Sequence, residues 1–201
     1  MPTQRLLFFN ATLMLFPSDD AMAHSPPVHT PDTLPDAQAL YESLLAAVRD
    51  LIAPLPADRV HLVGIHSGGA WLAEQLHKDL GLSQPFGTLD ISFYRDDFDR
   101  IGLHSQVQPS DIAFDVADKH LVLVDDVLYT GRTIRAAMNE LFDYGRPASI
   151  ALAVLLDRGG RQLPIAADAT GAIVQPPPVG NFVLSRDSKG MFVLDIEPKD
   201  A

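Results

Sequence analysis

The chain has 201 residues, 47% hydrophobic and 20% charged, which fits one globular domain with a two- or three-layer core. It has no cysteine, so disulfides, thiolate metal sites and a cysteine nucleophile are excluded, in agreement with a reducing compartment. A net charge of −11, from 26 acidic and 15 basic residues, argues against broad, sequence-blind nucleic-acid binding, although a small basic patch on an acidic body can still hold one particular RNA.

In chain order, Arg5 precedes two apolar runs, Leu6–Phe9 and Leu13–Phe16, and Ala21-Met22-Ala23 follows, a superficial likeness to a secretory signal. Asn10 and Thr12 break the run, Ser18-Asp19-Asp20 approaches a cleavage site poorly, and the segment is too short to span a bilayer. The favoured alternative takes Met22 as the start and residues 1–21 as an upstream extension. Residues 24–35 carry four prolines and no apolar periodicity and read as a linker. The expected organisation is therefore an N-terminal extension and linker over 1–35 and one domain over 36–201.

From Asp36 the apolar positions Ala37, Leu40, Leu44, Leu45, Val48 and Leu51 recur at helical spacing and predict an amphipathic helix ending before Pro54. Val60–Ile65 reads as a buried strand, and the turn His66-Ser67-Gly68-Gly69 leads into a helix over Ala70–Leu80. A strand over Phe86–Tyr94 precedes residues 95–118, a polar stretch long enough to suggest a lid or binding segment. His120–Val124 is uniformly apolar, as in a strand covered on both faces, and a helix over Ile134–Tyr144 follows. Ile150–Leu156, Ala172–Val174 and Met191–Leu194 complete the strands. Alternating strands and helices predict an α/β fold with a mostly parallel sheet.

The chemistry concentrates where His120–Val124 gives way to Asp125-Asp126 and then to Thr130-Gly131-Arg132-Thr133. Ligands of parallel sheets sit beyond the carboxyl ends of strands, and a turn that opens a helix offers outward amides to a phosphate. The carboxylates suit ribose hydroxyls or a hard cation, and the turn suits a phosphate, so a sugar phosphate spans both. His61, inside an apolar strand, reads as a core residue. His24 and His29 have no partner at metal-ligand spacing, and Trp71 reads as packing. Tyr94 and Phe98 suit either stacking on a base or anchoring the loop.

The string Val122–Thr133 resembles the phosphoribosyl pyrophosphate motif of type I phosphoribosyltransferases. With Leu128-Tyr129 before the turn, it is similar to the pyrimidine operon regulatory protein/uracil phosphoribosyltransferase family. Gly87–Asp97, Asp111–Asp115, Tyr144–Ala148 and Leu156–Ile165 fit the same family, so the resemblance covers residues 36–195. It implies the type I fold, with helices flanking the sheet, a flexible active-site loop and a small hood. Val127, Leu128, Tyr129, Thr130, Gly131, Arg132 and Thr133 would bind the 5-phosphate. Asp125 and Asp126 would hold the ribose or its Mg2+. His66, Ser67, Gly68, Gly69 and Arg95 would receive pyrophosphate, with Arg95, Asp125 and Asp126 as the catalytic set.

The family's pyrophosphate turn commonly reads Lys-Thr-Arg-Gly or Arg-Thr-Arg-Gly. Here two positive side chains are lost at His66 and Gly68, and Ala166 stands where relatives often place an arginine. Arg158 and Arg161 are the remaining candidate RNA contacts. The implied activity joins uracil to phosphoribosyl pyrophosphate, yielding UMP and pyrophosphate. The alternatives are a UMP- or UTP-sensing regulator acting on pyrimidine-operon leader RNA, and a phosphoribosyltransferase for another base. The resemblance further implies a cytoplasmic homodimer or higher oligomer without a membrane partner.

Overall fold

The apolar runs assemble into one parallel sheet in the computed structural model of the chain, which describes residues 26–30, 36–91, 109–175 and 180–197. The strands are β1 (Val28–His29), β2 (Val60–Ile65), β3 (Gly87–Leu89), β4 (His120–Leu128), β5 (Ser149–Asp157) and β6 (Ala169–Val174), in the order β1-β6-β5-β4-β2-β3. Every pairing in this sheet is parallel. A separate antiparallel hairpin, β7 (Asn181–Arg186) and β8 (Phe192–Glu197), follows.

Helix α1 (Ala37–Ile52) starts where Asp36 accepts the Ala39 amide at 2.9 Å, a side-chain N-cap. Its buried residues Leu40, Tyr41, Leu44 and Val48 share one face and pack with α2 (Gly68–Asp79) on one side of the sheet, against Leu62, Val122, Val124 and Leu155. The neighbouring strand residues Leu121, Leu123 and Val154 point to the opposite face, where α3 (Arg132–Tyr144) covers them with Ile134, Ala137 and Leu141. Covering both faces is what the uniformly apolar strands require.

Several elements differ from the expectation, four of them in ways that bear on the site or the sheet. Residues 24–35 were expected to be linker, yet Val28-His29 adds an edge strand to β6 because short extended segments can complete a sheet edge without a core signal. Strand β3 is only Gly87–Leu89, and residues 92–94 lie outside the described residues. Strand β4 continues four residues past Val124, because Asp125, Val127 and Leu128 still pair with Val154, Leu156 and Asp157 of β5. Strand β7 was not expected at all. Among the described residues no helix is long and apolar enough to cross a membrane.

Candidate functional site

The carboxyl end of β4 carries the doublet. Asp125 is 3% exposed, Asp126 is half-buried, and each accepts the next backbone amide: Asp125 Oδ1 from Asp126 at 3.0 Å, Asp126 Oδ1 from Val127 at 2.9 Å. The doublet thus lies inside the strand, and Val127 and Leu128 are strand residues; Tyr129–Gly131 alone forms the turn. Gly131 is the N-cap of α3, with φ +89°, a left-handed conformation that glycine adopts without steric cost. A Cβ there would also crowd Ile165 and Leu163, at 3.3 and 3.4 Å. Gly131 being the cap, Arg132 and Thr133 are the first residues of the helix itself.

All seven residues from Val127 to Thr133 line one cavity of about 500 Å3, together with Asp125, Ile134, Arg158, Gln162, Asn181 and Phe182. The opposite wall comes from the hairpin and from Arg158. That guanidinium lies 4.4 Å over the Tyr129 ring and 5.8 Å from the Phe182 ring, and its Nη1 donates to Asn181 Oδ1 at 3.4 Å. Burial pushes the Arg158 pKa down, opposed by Tyr129, and only 7% of the residue is exposed. Arg158, a candidate RNA contact by resemblance, lines the cavity. Arg161 also turns inward: it pairs with Asp157 and donates to the carbonyls of Ile165, Leu128, Tyr129 and Gly159.

The His66–Gly69 turn opens α2 beside the doublet. A Cβ on Gly68 would stand 2.4 Å from Asp126 Oδ2, and one on Gly69 would stand 2.3 Å from the Val124 carbonyl oxygen. The turn therefore lies directly against Asp125-Asp126, outside the residues that line the cavity. Arg95, Tyr94 and Phe98 lie outside the described residues. The segment around them is bracketed by an antiparallel pairing of Thr88 with Asp111 and by Ser110, which accepts the Asp90 amide and donates to Glu140 of α3.

Asn181, Phe182, Ile134 and Gln162 escaped the sequence analysis. Their signal is tertiary: the hairpin reaches the cavity only once it docks on α1 and α2, and no local motif records that docking. His61 is in the core as expected, with Nδ1 facing the Pro85 carbonyl at 2.9 Å and its ring stacked 3.9 Å from Phe114.

A profile of the phosphoribosyl transferase domain family matches residues 36–183. The chain is 50% identical to the bifunctional protein PyrR of Ralstonia nicotianae over 169 residues, 83% of this chain and 97% of that protein. It is 55% identical to the protein of the same name from Nitrosococcus oceani over 135 residues, 66% of this chain and 76% of that one. A solved hypoxanthine-guanine phosphoribosyltransferase from Bacillus anthracis superposes with a TM-score of 0.58 at 17% identity, covering 74% of this chain and 86% of that one. A hypoxanthine phosphoribosyltransferase from Staphylococcus aureus gives 0.55 at 20%, covering 70% and 76%. At such identities these two structures speak for the fold alone.

Proposed function

The chain belongs to the phosphoribosyl transferase domain family, and from that premise we propose that it transfers the ribose 5-phosphate of phosphoribosyl pyrophosphate to uracil, and that the UMP formed is also its regulatory ligand. The observation that carries this is the cavity, with the whole Val127–Thr133 segment along one wall, Asp125 among its lining residues, and Arg158 and Phe182 opposite. The name of the relatives, bifunctional protein PyrR, supports the pairing of catalysis with regulation.

The reaction forms a bond between N1 of uracil and C1′ of the ribose, and breaks the bond from C1′ to the pyrophosphate oxygen. The bonding pair leaves with pyrophosphate, and the N1 proton is released. As the bond to pyrophosphate breaks, positive charge builds on the ribose ring. The carboxylates of Asp125 and Asp126, one buried and one half-buried beside the cavity, stabilise that charge and accept ribose hydroxyls. The amides of the 129–133 turn hold the 5-phosphate at the start of α3, where the helix dipole favours an anion. Backbone amides at the start of α2 receive the leaving group, with Arg95 as the expected cation.

Among the described residues no cluster of three or more side chains could hold a metal. Two adjacent carboxylates suit a hard cation such as Mg2+, for which substrate oxygens and water would be the further ligands. Asp125 and Asp126 would hold that ion, which neutralises the pyrophosphate's charge. The setting is cytoplasmic and the assembly a homodimer or larger, both by family resemblance.

Incubating the protein with labelled uracil, phosphoribosyl pyrophosphate and Mg2+ tests catalysis. UMP should form at least about 100-fold faster than with Asp125→Asn, the usual scale for losing one preorganised electrostatic group. UMP formation no faster than the Asp125→Asn control would sink the reaction. Regulation is tested by gel shift with the organism's own pyrimidine leader RNA, with and without UMP. No shift at low salt removes the RNA partner. Arg158 and Arg161, the candidate RNA contacts, are held by protein partners in the free chain.

A further inference from the structure

Three consecutive carbonyls, those of Leu128, Tyr129 and Thr130, face the 158–163 segment. The Leu128 oxygen accepts the Arg158 amide at 3.1 Å, and the Thr130 oxygen accepts the Gln162 and Leu163 amides at 3.0 and 3.2 Å. Arg161 ties the set together: Nη1 reaches the Leu128 oxygen at 3.2 Å, the Tyr129 oxygen at 2.5 Å and the Gly159 oxygen at 3.3 Å, while Nε donates to Ile165 at 3.0 Å. Its Nη2 pairs with Asp157, whose other oxygen accepts the Gly159 amide at 2.8 Å.

A planar trans peptide points the carbonyl of one residue and the amide of the next in opposite directions. Fixing the Leu128, Tyr129 and Thr130 oxygens toward the 158–163 segment therefore turns the amides of Tyr129, Thr130 and Gly131 the other way. Those are the first amides of the proposed phosphate cradle. Among the described residues, Arg161 is the one side chain that donates to the Tyr129 oxygen, the middle carbonyl of the three. Its charge is met by Asp157, so its influence on the cradle is one of geometry rather than field.

We infer that Arg161, held by Asp157, is a positioning residue that aims the backbone amides of the Tyr129–Gly131 turn at the 5-phosphate. The inference rests on the phosphate-binding reading of that turn. A planar five-donor fork is the side chain suited to this task, since a lysine offers no fixed angle between its donors.

Calorimetry with UMP and with uridine, which differ only by the 5′-phosphate, isolates the effect. The wild type should bind UMP far more tightly than uridine. In Arg161→Gln the UMP affinity should fall roughly tenfold while uridine affinity holds, and KM for phosphoribosyl pyrophosphate should rise more than kcat falls. Asp157→Asn keeps an oxygen for the Gly159 amide but discharges the clamp, and should shift the UMP-to-uridine ratio in the same direction by a smaller factor. A ratio within twofold of wild type in folded Arg161→Gln overturns the role, as does a parallel loss of both ligands, the mark of a merely structural residue. If Arg161→Gln does not fold, an unchanged ratio in Asp157→Asn overturns it instead. A wild type with no preference for UMP over uridine overturns the phosphate site, and this role with it, before any variant is made.

Discussion

Gly69 and Gly68 adjoin the same doublet but differ in what a methyl group would strike. At Gly69 it meets backbone, the Val124 carbonyl oxygen at 2.3 Å and Asp125 Cα at 2.9 Å, whereas at Gly68 it meets the Asp126 side chain, whose Oδ2 at 2.4 Å and Cγ at 2.7 Å can rotate away, leaving Cβ at 2.9 Å. Gly69→Ala should therefore destabilise by about 2–3 kcal/mol, the scale of overpacking against a rigid neighbour. Gly68→Ala should cost less stability and more activity, because it displaces Asp126; urea unfolding beside turnover separates the two. An arginine at position 68 would have to displace Asp126, which sits where a Gly68 side chain would emerge; the change at His66 has no structural explanation. His61 gives a pH effect. Burial lowers its pKa, against the opposing hydrogen bond to Pro85 and with a further lowering from Lys119. The folded form thus stays neutral below the ordinary value of 6.5 while the unfolded chain takes up a proton. Its full contribution is present above pH 6.5 and is lost as pH falls toward the folded value, at up to about 1.4 kcal/mol per pH unit. His61→Phe should flatten the decline in Tm between pH 7 and 5.5 relative to wild type, and an equal decline in both would assign the pH response to other groups.

Strands and helices divide sharply in how legible they were. Helix α1 announced itself through Asp36 and the Leu40, Leu44, Val48 spacing, and β2, β4 and β5 through unbroken apolar runs. The end of β4 did not, since carboxylates ordinarily close a strand; here pairing of Asp125 and Val127 with β5 outweighs that local preference. Strand β7 has only Phe182 and Leu184 facing inward, too short an alternation to register, and its worth comes from docking. That docking depends on Arg186, which donates to the Trp71 carbonyl at 2.9 Å and to Glu74 at 3.0 Å, and lies 5.6 Å from the Trp71 ring and 5.5 Å from the Phe192 ring. The Glu74 contact is exposed and worth little; the carbonyl bond and the ring packing carry the effect. Arg186→Ala should lower stability by about 1–3 kcal/mol and weaken UMP binding, because Asn181 and Phe182 at the far end of the same strand close the cavity. Unchanged UMP affinity in a variant of reduced Tm would mean that the cavity wall holds without this anchor.

At the scale of the whole molecule, the cavity joins elements far apart in sequence: the end of β4, the start of α3, the loop after β5 and the hairpin. The Asp125–Thr133 motif was readable because its chemistry is contiguous, while the part played by Asn181 and Phe182 was not, because these residues reach the cavity only after the chain has closed. A ligand that touches all four parts binds the folded state and not the unfolded chain, so it must raise stability by mass action. At one hundred times its dissociation constant the gain is about 2.7 kcal/mol, which for a domain of this length corresponds to a rise in Tm of about 5–10 °C. Base selectivity then appears as a difference between ligands that share the ribose 5-phosphate. On the proposed reading that shared part meets the 129–133 turn and the doublet alike in every case, so any difference comes from the base. A cavity of about 500 Å3 has room for a purine or a pyrimidine nucleotide, so the uracil reading rather than the volume sets the expected order. UMP should raise Tm by several degrees at concentrations where GMP and IMP give a smaller shift. An equal or larger shift with GMP would move the base specificity to purines while leaving the phosphate turn, and the chemistry built on it, as described.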